Sequence, residues 1–218
     1  ALLKTAVSFG DGYGPKLIKK KGARLKKKFT VALSGEYTTN ALLFKIAYPD
    51  AKITYMNFLE IEEAVINGQV DAGVLIHESI LTYDDTLEVE REMWDIWQEL
   101  AGPDLPLPLG GMCIRRSIPL HKAIDYENTL IQAVNVANSN KDLLSKMLIE
   151  RDLIRVNSET LNKYLDLYAN DDSINLSPLQ YKALDKLYEL GYKHGFYEQL
   201  IRSEDFLIPN EYAQLRAK

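Results

Sequence analysis

The sequence predicts an α/β fold with mixed sheets and a helical C-terminal tail. Three observations predict it. Between residues 29 and 76, short apolar runs and helical stripes alternate in the order strand, helix, strand, helix, strand. The last of these runs, VDAGVLI at 70–76, is nearly all apolar, as expected of a parallel strand covered on both faces. From residue 120 onward the pattern is largely helical.

Taken in order, Gly10, Gly12, Gly14 and Pro15 predict a loop where the backbone approaches something closely. Their spacing is not that of a dinucleotide fingerprint, and no helical pattern follows at once. KLI at 16–18 is too short to assign alone. Residues 29–33 (FTVAL) read as a buried strand, 34–39 as a turn with capping residues, and 41–47 as a helix ended near Pro49. Residues 53–56 make a second short strand. Leu59, Ile61, Ala64, Val65 and Ile66 form a helical stripe stopped at Gly68, and 70–76 is the third strand. Residues 89–100 read as a further helix, with Met93, Trp94 and Trp97 at helical spacing and both tryptophans in the core. LPLPLGG at 105–111 is extended, because proline biases the residue before it away from helix. Residues 112–115 read as a short strand. Helices follow at 120–138, 141–149, 158–168 and 178–194, the last with Pro178 at its first helical position.

Composition bounds the function. A chain of 218 residues is one large domain or two small ones, and 46% hydrophobic with 26% charged residues supports a packed core. The net charge of −5 argues against a general nucleic-acid binder. Cys113 is the single cysteine, which excludes an internal disulfide and a four-cysteine zinc site. No apolar run approaches the roughly 20 residues that cross a bilayer, and no secretory signal is visible. The charge is uneven: residues 16–28 hold eight basic residues in thirteen, leaving 18 basic against 31 acidic elsewhere. Such a run can serve as a patch for anionic lipid or nucleic acid, but with no interleaved aromatics, and with Gly22 breaking it, it reads as a solvated linker between strands.

In an open α/β sheet, ligands bind beyond the carboxyl ends of the strands. That rule selects two places. At 34–39, the helix-start amides with the hydroxyls of Thr38 and Thr39 suit a carboxylate or phosphate; the same threonines also suit a purely capping role. At 77–79, His77 follows the third strand directly. An imidazole titrates near neutrality and can serve as a general base, or it can make a structural hydrogen bond. Glu78 and Ser79 are placed either to orient it or to face solvent. His121 and His194 lie in helical contexts and read as surface or structural residues. No HExxH, CxxC, Walker loop or GxSxG elbow is present.

Three segments, SGEYTTNALLF (34–44), GQVDAGVLIHESILTY (68–83) and LPLPLGGMCIRR (105–116), together with the glycine stretch at 10–15, resemble in order and spacing the 1,4-dihydroxy-6-naphthoate synthases (MqnD family) of the futalosine route to menaquinone. The resemblance implies a two-lobed fold like the type II periplasmic binding proteins. One lobe would be 29–111 and the other 1–28 with 112–218, with 16–18 and 113–115 as crossing segments and Gly110 and Gly111 at a hinge. It implies a cytoplasmic lyase converting cyclic dehypoxanthine futalosine to 1,4-dihydroxy-6-naphthoate, with release of dihydroxyacetone. It implies His77 as the base, and Ser34, Gly35, Thr38, Thr39, Gly12, Gly14, Ile76 and Gly110 against the substrate. It calls for no metal or redox cofactor, and for a small-molecule substrate and a homodimer rather than nucleic acid or membrane. Chorismate dehydratase of the same fold and a non-catalytic solute-binding protein are the alternatives. The family has an opening strand and an SPxxDxxF-like motif ahead of the glycine loop. This sequence starts at Ala1, close to that loop, so it is expected to be part of a longer chain.

Overall fold

Residues 1–154, 156–168 and 173–209 are described by the computed structural model. Seven strands appear among the described residues, in chain order: β1 (Ser8–Gly10), β2 (Lys16–Lys20), β3 (Thr30–Leu33), β4 (Lys52–Tyr55), β5 (Ala72–Leu75), β6 (Leu87–Glu92) and β7 (Leu107–Gly110). The helices are α1 (Thr39–Ala47), α2 (Ile61–Ile66), α3 (Met93–Ala101), α4 (Leu120–Ser139), α5 (Lys141–Glu150), α6 (Ser158–Tyr168) and α7 (Pro178–Lys193). The chain forms two units. The first comprises Ala1–Phe9, Pro108–Tyr188 and the chain from Leu200; the second comprises Gly10–Leu107 and Glu189–Gln199. No helix among the described residues is long and apolar enough to cross a membrane.

The second unit is built on a five-stranded sheet in the order β4-β3-β5-β2-β6. β3 runs parallel to β4 and β5, while β2 is antiparallel to both β5 and β6. The predicted strand–helix alternation of 29–76 is therefore β3-α1-β4-α2-β5. Its inner strands are apolar because both faces are covered: Val31, Ala32, Leu33, Val74 and Leu75 are buried. α2 lies close on β5 at Gly73, where a Cβ would come within 2.5 Å of Ile61 Cγ2 and 3.0 Å of Val65 Cγ2. On α1, Phe44 stacks on Tyr48 and meets Phe29 edge-on. Trp97 is buried and its Nε1 donates to the Leu105 carbonyl at 2.7 Å, so its core reading holds; Trp94 is half-buried. Residues 189–199 add Phe196, whose ring lies under Lys45, and Tyr197, which packs on Gly191. The starts of β3 and β5 are clasped: Asp71 Oδ2 accepts from Thr30 N at 2.7 Å and Thr30 Oγ1 at 2.8 Å, and Asp71 N donates to that same hydroxyl at 2.9 Å.

The first unit has its N-terminal residues as a spine. Leu2 bridges Cys113 and Leu207, Leu3 N donates to the Met112 carbonyl, and Ala6 N donates to the Ser173 carbonyl. Leu3 packs with Ala123, Ile124 and Ile208. Lys4 fixes this arrangement. Its amide donates to Glu127 Oε1 at 2.8 Å, and its Nζ reaches Glu127 Oε2 at 2.9 Å and the Ile208 carbonyl at 2.6 Å. Glu127 is only 3% exposed, and the Lys4 ammonium and amide each meet one of its carboxylate oxygens. α7 opens on a capping box in which Ser177 Oγ accepts from Gln180 N and Gln180 Oε1 accepts from Ser177 N. Pro178 sits at its first position, as predicted.

Three expectations are corrected. Residues 89–100 are not one helix: 87–92 (LEVERE) form β6 and only Met93–Ala101 are helical. The period-two alternation of that stretch is the strand signal, and its glutamates face the lysines of β2. Residues 112–115 form no strand, only the bridge at Cys113. Residues 16–18 form no crossing segment but the start of β2, inside the five-stranded sheet, so the first five residues of the basic run are strand. In that strand Lys16 pairs with Glu92, and Lys19 with Glu88 and Glu90.

Two outcomes follow for stability. Glu127→Ala leaves the Lys4 ammonium without its anion and should cost about 3–5 kcal/mol in chemical denaturation. The hydrogen bonds from Thr30 hold the Asp71 carboxyl below its ordinary range. A depressed folded pKa gives stability that is present above the unfolded value, near pH 4, and lost as pH falls through the lowered folded value. Asp71→Ala should therefore cost about 1 kcal/mol at neutral pH. Its unfolding free energy should converge on that of the unaltered protein as the pH is taken from about 6 to about 2.

Candidate functional site

The topology gathers the candidate residues of the second unit on one rim. β3, β4 and β5 are parallel, so their carboxyl ends lie along the same edge of the sheet. β2 is antiparallel, so its first residue lies there as well: Lys16 is paired with Leu75 of β5 and Glu92 of β6. The rim thus carries Ser34 after β3, Phe58 after β4, Ile76 and His77 after β5, Lys16 at the start of β2 and Glu92 at the end of β6. α1 and α3 both start from this rim, with Thr38 and Glu92 as their N-caps.

His77 leaves β5 with φ of 57°, in the left-handed region, and opens a 3-10 turn over His77–Ile80. Ile80 is buried and anchors the turn, while the imidazole is exposed. A strained residue at the end of a parallel strand is a common device for presenting a reacting side chain. The imidazole ring meets Phe58, with centroids 4.9 Å apart and planes at 63°.

Thr38 caps α1: its Oγ1 donates to the Gly35 carbonyl at 2.9 Å and accepts from Ala41 N at 3.2 Å. Its hydroxyl proton is therefore already committed. Thr39 is the first helical residue; its amide and that of Asn40 have no partner within the helix, which leaves two donors aimed outward at the rim. Ser34, Gly35 and Thr39 are half-buried in this loop. Asn40 follows at 9% exposure, and its Oδ1 is buried without a hydrogen-bond partner among the described residues.

Sequence reasoning missed the polar pair on the rim. Burial pushes the Glu92 carboxyl up, against the opposing pull of Lys16, whose Nζ lies 3.7 Å away and 5.8 Å over the Tyr83 ring. The signal was the register that joins Lys16 to Glu92, which spacing along the chain does not contain. Gly14 is buried, with a Cβ there only 3.0 Å from Leu107 Cδ2, while Gly12 is exposed at φ of 74° with open space around it. Ile76 is half-buried just ahead of His77. Gly110 belongs to the first unit, at the end of β7, exposed and with nothing near a Cβ position. A concavity of about 230 Å³ in the first unit, lined by Leu2, Cys113, Tyr188 and Phe206, holds none of these residues.

A family model described as Menaquinone biosynthesis matches residues 1–193. The chain is similar to the protein named 1,4-dihydroxy-6-naphtoate synthase in Streptomyces coelicolor, with 28% identity over 191 residues, covering 84% of this chain and 67% of that protein. It is similar to the protein of that name in Thermus thermophilus, with 26% identity over 196 residues, covering 85% and 68%. A crystal structure of an Archaeoglobus fulgidus protein superposes with a TM-score of 0.82 at 32% identity, over 90% of this chain and 73% of that one. The aliphatic sulphonate binding protein of Escherichia coli superposes with a TM-score of 0.57 at 13% identity, over 94% and 68%. That last likeness shows the fold, which is of the periplasmic-binding-protein type. With the family model running through both the glycine loop and the His77 segment, the chain belongs to the menaquinone biosynthesis family.

Proposed function

We propose that this chain is a 1,4-dihydroxy-6-naphthoate synthase, a cytoplasmic lyase that converts cyclic dehypoxanthine futalosine to 1,4-dihydroxy-6-naphthoate and releases dihydroxyacetone. The reading is supported by the family match and by the names of two relatives, each aligned over more than four-fifths of this chain. The observation that carries the residue assignment is the presentation of His77: an exposed imidazole held at positive φ, on the rim where α1 also points its leading amides.

Each rim group has a role its chemistry suits. The imidazole of His77 accepts the proton whose loss starts ring opening and aromatisation. The amides of Thr39 and Asn40 hold substrate oxygens, while Thr38 keeps the helix start in place through its cap. Ser34 and Gly35 shape the loop between them, Ile76 supplies an apolar wall beside His77, and Gly12 and Gly14 let the backbone ahead of β2 come close to a ligand. A homodimer is the assembly expected on this reading, and sedimentation measures it directly.

His77→Asn tests the assignment, because asparagine tolerates the left-handed backbone and lacks a basic nitrogen. Turnover of cyclic dehypoxanthine futalosine should fall by about 10²–10⁴-fold while substrate binding stays within a few-fold. Unchanged turnover would remove His77 as the base, and binding of the substrate with no turnover in the unaltered protein would return the solute-binding reading. His77→Gly should raise the unfolding free energy by about 0.5–1 kcal/mol, by relieving the backbone strain, while abolishing turnover. A gain in stability paired with a loss of activity marks strain retained for function.

A further inference from the structure

We propose that Phe58 is a positioning residue that fixes the orientation of the His77 imidazole. The inference rests on the reading of His77 as the base and deepens it. His77 is exposed, and a surface side chain free to rotate samples its rotamers on the picosecond to nanosecond scale. The left-handed backbone sets the direction of the Cα–Cβ bond but not the rotation of the ring. Phe58 supplies the missing restraint. Its ring stands 4.9 Å from the imidazole at 63°, the edge-to-face arrangement that the aromatic quadrupole favours. An edge-to-face pair of this kind biases a rotamer population several-fold, and up to about tenfold.

Phe58 is itself held from both sides. Asn57 Oδ1 accepts from Leu59 N at 3.1 Å, and the Asn57 carbonyl accepts from Glu60 N at 2.9 Å, so the turn that carries Phe58 is bonded across its ends. That turn leads directly into α2, whose Ile61 is buried against Gly73 of β5. The ring and the imidazole therefore hang from two elements packed directly on one another, two residues beyond the end of β5 and three residues ahead of α2. Phe58 is half-buried.

Two variants and two measurements separate the outcomes. Phe58→Leu keeps apolar bulk and removes the aromatic face; Phe58→Tyr keeps the face. With three histidines in the chain, the imidazole proton resonances are readily assigned by NMR. Ring-current displacement of the His77 resonances, measured against His121 and His194, should be present in the unaltered protein, retained in Phe58→Tyr and lost in Phe58→Leu. In steady-state assays Phe58→Leu should lower kcat about tenfold with KM within about twofold, and Phe58→Tyr should restore kcat to within about twofold. Absence of the displacement in the unaltered protein, or its persistence in Phe58→Leu, overturns the proposal. Loss of the displacement in Phe58→Leu with kcat unchanged overturns Phe58 as a positioning residue, while the His77→Asn assay decides separately whether His77 is the base. A melting curve for each variant identifies a fall in kcat that comes from unfolding, and Phe58→Tyr then carries the test alone.

Discussion

The close seating of α2 on β5 is the constraint from which the rim takes its form. It requires a residue without a side chain at 73, because any Cβ there would collide with Ile61 and Val65. With Gly73 in place, α2 lies directly on the strand that ends in His77, and the turn leading into α2 comes to the same height as the imidazole. A looser helix would leave His77 projecting alone, since its own backbone controls one bond vector only. The geometry of the proposed base thus traces back to an absent methyl group in the sheet, in the middle of a strand with four buried residues.

Electrostatics shapes the other flank. β2 is an unusual inner strand because it carries lysines at both ends, and β6 answers it with a glutamate at every second position. Lys19, with glutamates 88 and 90 beside it, has its ammonium form favoured by hydrogen bonds and charge. At the rim end the balance is different: Glu92 is partly desolvated, Lys16 lies at the edge of ion-pair distance, and the carboxyl is pushed up rather than down. The pairing that holds the edge strand in register therefore ends in a less settled pair beside the proposed site. Of the eight basic residues in the run at 16–28, Lys16 and Lys19 are paired with glutamates within their own sheet.

Much of this was legible along the chain. Strands covered on both faces advertise themselves by composition, which is why FTVAL and VDAGVLI were readable, and the rule for parallel sheets then placed His77 and Thr38 at carboxyl ends. Ser177 and Pro178 marked a helix start through local chemistry alone. The misreadings share one cause. LEVERE looks helical when charge is counted and strand-like when alternation is counted, and its partner lies almost seventy residues earlier. The roles of Phe58, Lys16 and Glu92 come from register and packing between distant segments, and the positive φ of His77 belongs to a turn that no single residue type announces. Thr38 illustrates the opposite case: both readings of its hydroxyl were available from sequence, and only hydrogen-bond geometry showed it committed to the cap.

The spine of the first unit has a consequence for biogenesis. Leu2 bonds to Phe206, and Lys4 to Ile208, across separations of about two hundred residues. During translation these leading residues leave the ribosome while their partners have yet to be polymerised, and at about 5–20 residues per second the wait lasts some ten to forty seconds. Their partners at Met112, Cys113, Ala123 and Ile124 are made about halfway through that interval, while Phe206 and Ile208 arrive only at its end. The first unit therefore cannot close until residues 206–208 have been made.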